Sequence, residues 1–228
     1  MSKPMIKRCL LLLMLLPRLT LAHNNQPNDH RQWNADIAAF QAQDRAHLPS
    51  PGGVLFIGSS SIRAWTTVAT DFPQVRTINR GFGGSEIDDA TFFADRIVVP
   101  YHPAAIVMYA GDNDLQDGDS PEHVRDDFAA FVHKVRSQDA GVPIAFIAIK
   151  PSMARKVLLP QIRAANALIR AFAATQSGVS YLDTFTPMLG TNGQPRRDWF
   201  VADGLHMNRS GYLLWIGIVR PWLDKVMH

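Results

Sequence analysis

Five short strand candidates, most of them apolar runs, divide the chain, at residues 54–57, 75–79, 105–110, 144–149 and 179–182. Successive side chains of a strand point to opposite faces, so a strand apolar at consecutive positions must be covered on both sides. The stretches between the runs are longer and carry helical periodicity. "SPEHVRDDFAAFVHKVRSQ" opens with Ser120 as N-cap and Pro121 at the first helical position, and Val124, Phe128, Phe131 and Val135 form its apolar stripe. "WNADIAAFQAQDRAHL", "LPQIRAANALIRAFAAT" and "NRSGYLLWIGIVRPWLDKV" read as further helices. Strand-helix alternation of this kind predicts a doubly wound α/β sandwich around one parallel sheet, with no second domain.

The N-terminus reads differently. "MSKPMIKR" is basic, "CLLLLMLLP" is an apolar run too short to span a bilayer, and "LTLA" allows a cut after Ala22. Residues 1–22 are therefore expected to be a signal peptide, with 23–228 the folded domain and the protein exported to the periplasm or beyond. Retention as a simple anchor is the alternative. The formal charge of the whole chain is +3. Lys3, Lys7, Arg8 and Arg18 all fall in the leader, which has no acid, so residues 23–228 carry −1. The basic balance is then no argument for a nucleic-acid partner. The one cysteine, Cys9, also lies in the leader, which leaves the domain without disulfide or thiol chemistry.

In open parallel sheets ligands bind beyond the C-terminal ends of the strands. The loops there read "GSSS", "RGFGGSE", "GDND" and "KPS". No phosphate loop, dinucleotide fingerprint, HExxH or GxSxG elbow occurs, and the eight histidines show no metal-ligand spacing. No cofactor or metal is expected. The most suggestive pair is Asp203 and His206 in "DGLH", just ahead of the last helix. A carboxylate three residues from a histidine can fix its tautomer and stabilise its charged form, although a surface pair has the same spacing. A serine after the first strand would add a nucleophile. Asn113 and Gly84 would add a side-chain and a backbone donor for an oxyanion. Each has a plainer role as well: a helix cap for the serine, an Asx-turn for Asn113, a positive-φ turn for Gly84. Among Ser59, Ser60 and Ser61, periodicity and capping do not choose.

Four segments in this order, "FIGSSS", "NRGFGGS", "AGDND" and "DGLH", resemble the four blocks of the SGNH (GDSL-type) hydrolase family, over most of the chain. The resemblance implies a three-layer α/β sandwich with a five-stranded parallel, flavodoxin-like sheet. It implies Ser60 as nucleophile, in register from Gly58, with Asp203 and His206 as the base pair. It places Ser60, Gly84 and Asn113 in the oxyanion hole. Ser59 departs from the family pattern, which usually has aspartate there. The implied activity is carboxylic-ester hydrolysis through an acyl-enzyme, on a small-molecule or carbohydrate ester. An acyltransferase acting on a sugar or alcohol, and a non-catalytic binding protein on the same fold, are the alternatives. Asp112 and Asp114 are expected to be loop structure, and Asp88 and Asp89 a solvated helix face. Lys150 and Ser152 could line a pocket. Phe82, Tyr109, Trp199 and Met207 could shape it or pack in the core.

Overall fold

The computed structural model describes residues 29–227. The expected signal peptide, residues 1–22, lies outside them. Each candidate contributes a strand: β1 (Val54–Gly58), β2 (Thr77–Gly81), β3 (Ala105–Tyr109), β4 (Ile144–Ile147) and β5 (Val179–Leu182). All pairings are parallel, in the order β2-β1-β3-β4-β5. That is the flavodoxin-like order, with its reversal at β1.

Two strands differ from the sequence expectation by more than one residue, for local reasons. β2 starts at Thr77 and not at residue 75, because the Val75 N–H is already committed to Phe72 O in a turn. β4 stops at Ile147 rather than running to 149. There the Asn166 side chain takes over the pairing, its Oδ1 accepting from Ile149 N at 2.8 Å and its Nδ2 donating to Ile149 O at 2.9 Å.

Period-two alternation divides the core. Leu55, Ile57, Ile106 and Met108 face a layer built from α1 (Asn34–Ala46), α4 (Ile87–Phe92), α5 (Ala94–Ile97), α7 (Pro121–Arg136) and α8 (Leu159–Thr175). Val54, Phe56, Val107 and Tyr109 face the other layer, of α2 (Ser60–Arg63), α3 (Val68–Asp71) and α9 (Arg209–Val226). α6 (Asp112–Asp117) follows β3. As expected, Ser120 caps α7, accepting from His123 N at 3.1 Å, and Pro121 opens it.

α9 buries Tyr212, Trp215, Ile216, Val219, Trp222 and Leu223, a stripe of helical spacing. Tyr212 and Trp215 meet Trp65, just beyond α2, at ring-centroid distances of 5.2 and 5.9 Å. Burying each such ring stabilises by roughly 2–3 kcal/mol. This aromatic cluster fastens the segment after β1 to the last helix, so the two ends of the fold share one packing unit. Among the described residues no helix is long and apolar enough to cross a membrane.

Candidate active site

The turn after β1 is set by Gly58. Its φ is +132°, and a Cβ there would sit 1.8 Å from the Tyr109 carbonyl oxygen, so no other residue fits. The chain passes directly into Ser59, whose N–H donates to that same carbonyl at 2.9 Å. This abrupt exit gives the three serines different surroundings. Ser59 and Ser61 are fully buried, and their hydroxyls have no hydrogen-bond partner among the described residues. Ser60, between them, is half-buried and points its hydroxyl at His206. Ser59 occupies the N-cap position of α2 but makes no side-chain cap bond, so capping does not account for it. α2 ends at Arg63, which leaves Trp65 in the packing cluster beyond the helix.

Ser60 Oγ lies 3.0 Å from His206 Nε2. On the far side of the ring, Nδ1 lies 2.7 Å from Asp203 Oδ2. The other carboxylate oxygen, Oδ1, accepts from the backbone N–H groups of Leu205 and His206 at 2.8 and 2.9 Å. The His206 hydrogen bond first, and the Leu205 N–H second, bring the Asp203 carboxyl down to about 2. An ionised carboxylate can only accept, so the neutral ring carries its proton on Nδ1. The Nε2 lone pair then faces the Ser60 hydroxyl, which is what a general base requires.

The DGLH turn is held in place from several sides. Gly204 O accepts from Ala154 N at 3.1 Å, and Val201 N donates to His206 O at 2.9 Å. Directly after the turn, Arg209 forms a two-pronged ion pair with Asp71 at 2.7 and 2.5 Å.

Gly84 is exposed, with φ +85°, and the Trp33 ring lies 3.0 Å from where a Cβ would stand. Its loop begins where Phe82 N donates to Gly58 O at 2.9 Å, beside the turn that leads into Ser60. The positive-φ role is therefore real, and it leaves the backbone open beside a cavity of about 270 Å³ lined in part by Trp33, Glu86 and Asp117. Burial, with Asp119 and Asp117 adding to it, pushes the Glu86 carboxyl up to about 8.

Asn113 lies in the first turn of α6 rather than in an Asx-turn. Its Nδ2 donates to Ser85 O at 2.9 Å, which joins the third strand-end loop to the second. The structure thus joins Ser60, His206 and Asp203 by direct hydrogen bonds. It brings Asn113 and Gly84 onto neighbouring loops.

Asp112 and Asp114, expected in a loop, lie in the first turn of α6, and both are buried. Asp114 accepts from Ile87 N and Gly111 N, at 3.0 and 2.9 Å. Asp112 pairs with Lys150 at 2.8 Å and with Arg155 at 3.1 Å, and these two cations hold its carboxyl below the ordinary value despite complete burial. Lys150 is only 1% exposed and also donates to Tyr109 Oη at 2.8 Å, so it supports the site from beneath and does not line an open pocket. Ser152 is buried too, as are Phe82, Tyr109 and Met207, while Trp199 is half-buried against the α9 layer.

One expectation is corrected outright. Asp89 is not on a solvated face. It is 2% exposed, accepts from Glu86 N at 2.9 Å, and contacts His30 Nδ1 at 2.8 Å. Its side chain closes the start of α4. Asp119, just before α7, and His123 and Asp127 on that helix bring possible ligand atoms within 4.8 Å of one another. Arg155 escaped the sequence reading altogether. Its only signal was one more cation, after Lys150, in the loop after β4.

A model of the GDSL-like lipase/acylhydrolase family matches residues 50–214. No curated protein matches the chain. Among solved structures, the chain is similar to a candidate acylhydrolase from Bacteroides fragilis. The identity is 20%, with 89% of this chain and 100% of that one covered at a TM-score of 0.74. It is also similar to a GDSL-like lipase from Bacteroides thetaiotaomicron, at 19% identity, 86% and 98% coverage and a TM-score of 0.69. A carbohydrate esterase of family 3 from Talaromyces cellulolyticus matches at 17% identity, 77% and 97% coverage and a TM-score of 0.63. At these identities the likeness is one of fold.

Proposed function

Since this chain belongs to the GDSL-like lipase/acylhydrolase family, we propose that it is a carboxylic-ester hydrolase that works through an acyl-enzyme on Ser60. The observation that carries this reading is the hydrogen-bonded chain from Ser60 Oγ through His206 to Asp203, at 3.0 and 2.7 Å.

In the first step, His206 Nε2 takes the Ser60 proton as Oγ attacks the ester carbonyl. Asp203 accepts from Nδ1–H throughout and stabilises the imidazolium that forms. Negative charge gathers on the former carbonyl oxygen. Its donors are the Gly84 N–H, the Asn113 amide and the Ser60 N–H, one of the donors that a helix start leaves without an intrahelical acceptor. His206 then gives its proton to the departing alcohol. In the second step water attacks the acyl-Ser60 ester, again with His206 as base. The acid leaves and Ser60 regains its proton.

The substrate class is a small ester, including an acetylated sugar. One structural neighbour is itself called a carbohydrate esterase, which supports including sugar esters. The leader-like N-terminal sequence supports export, which would put such esters outside the cytoplasm.

The test is turnover of p-nitrophenyl acetate, with Ser60→Ala, Ser59→Ala and Ser61→Ala compared. Ser60→Ala should be inactive and its neighbours should keep most of the rate. Equal turnover in Ser60→Ala would refute the reading.

A further inference from the structure

The Asn113 amide is held from both ends. Its Nδ2 donates to Ser85 O, and its Oδ1 accepts from Arg155 Nη2 at 2.9 Å. A carbonyl oxygen only accepts and a guanidinium only donates, so these partners fix which end of the amide carries hydrogens. Ser85 uses one of the two. Among the described residues the other has no acceptor, and it is the one an oxyanion would take.

Arg155 is itself immobilised. Its side chain is 13% exposed, and its Nη1 pairs with Asp112 Oδ2 at 3.1 Å, the oxygen that also receives Lys150. Ser152 Oγ accepts from the Arg155 N–H at 3.3 Å. The neighbouring Ala154 N–H is the group tied to Gly204 in the DGLH turn. A guanidinium so placed, with one prong on a structural carboxylate and the other on the amide of Asn113, does more than fill space.

We propose that Arg155 is a positioning residue that acts through Asn113. This rests on the esterase reading of Ser60. Arg155 locks the amide against a flip that would aim a lone pair at the developing oxyanion. It also draws electron density toward Oδ1, so the remaining N–H becomes a stronger donor. Hydrogen bonds in a chain polarise one another, and a charged donor at one end strengthens the effect. The benefit grows as the oxyanion forms, so it belongs to kcat and not to substrate binding.

The experiment is a double-mutant cycle on the full chain with p-nitrophenyl acetate. Turnover by the native protein, and its loss in Ser60→Ala, test the esterase reading alone. Failure there removes both readings. Given that turnover, Arg155→Met should lower kcat at least ~10-fold and leave KM within ~2-fold. In an Asn113→Ala background the same change should cost less than ~2-fold, since the group it acts through is gone. Arg155→Lys, which keeps a charge beside Asp112, should recover part of the rate. Should Arg155→Met lose its folded structure, Arg155→Lys is carried through the same cycle. Equal losses with and without Asn113, an unchanged kcat, or a loss that appears in KM alone would each overturn the proposal.

Discussion

Replacing Asp71 by asparagine removes one charge while keeping the shape of the side chain. Asp71 is 6% exposed and accepts from Trp65 Nε1 at 2.8 Å, from Thr67 Oγ1 at 2.7 Å and from both prongs of Arg209. Arg209 first, then Trp65 and Thr67, bring its carboxyl from 3.8 down to about 2, against the opposing push of burial. A depressed carboxyl stabilises the fold above its unfolded value and ceases to do so as the pH falls through the folded one. Each unit is worth about 1.4 kcal/mol, so the shift corresponds to roughly 2 kcal/mol at neutral pH. The Arg209 side chain is half-exposed, so solvent screening makes that a ceiling. The assay is urea unfolding of the native protein and Asp71→Asn, followed by tryptophan fluorescence, which Trp65 reports from the site itself. The stability gap should be roughly 2 kcal/mol near pH 7 and narrow to roughly 1 near pH 3, as the carboxyl protonates in the unfolded chain while the native one stays largely ionised. The new amide also meets donors it cannot accept from on its nitrogen end, a pH-independent cost. The narrowing is therefore the decisive quantity. A gap of constant width from neutral pH to pH 3 would show that packing and not charge was lost.

Four further outcomes follow from the geometry. Asp203→Asn should lower kcat by at least ~100-fold at pH 8, because an amide can present N–H to Nδ1 and favour the wrong tautomer. With the native carboxyl at about 2, a kcat profile should show no inflection from Asp203 above about pH 4, and one that vanished in Asp203→Asn would contradict the assignment. Ser59→Ala should leave the urea midpoint unchanged or raise it, worth up to about 1 kcal/mol, since its buried hydroxyl has no partner among the described residues; a marked fall would reveal one. Gly58→Ala combines an unfavourable φ with a Cβ driven into the Tyr109 carbonyl, and should cost more than about 3 kcal/mol; a native-like midpoint would mean the turn can relax.

The sheet was legible in the sequence because its signal is local: five strand candidates, most of them apolar runs, each bounded by turn residues. The ends of β2 and β4 were not, because a turn at Val75 and the reach of Asn166 decide them, and neither is visible in the runs themselves. Asp203 and His206 were legible because three residues separate them. Among the three serines the residue pattern left the choice open, and the family register supplied it. The fold adds a physical reason: Gly58 turns the chain so that Ser59 and Ser61 enter the core. Asp89 was misread because the helix pattern around it is polar, while a contact 59 residues away covers it. Arg155 was missed for a similar reason. It meets Asn113 across 42 residues, and a single arginine in a loop announces nothing until the loop is placed.

Ser60 and His206, the proposed nucleophile and base, are 146 residues apart. Ser60 leaves the first strand of the sheet and His206 precedes the last helix, so the reactive pair exists only when the first and last parts of the fold have met. During synthesis the chain emerges with its serine long before its histidine. No nascent fragment that stops short of the DGLH turn holds the pair, however well its strands have formed. On the proposed mechanism, reactivity waits until the DGLH turn has joined the sheet, and a chain truncated before that turn is chemically silent rather than merely weakened.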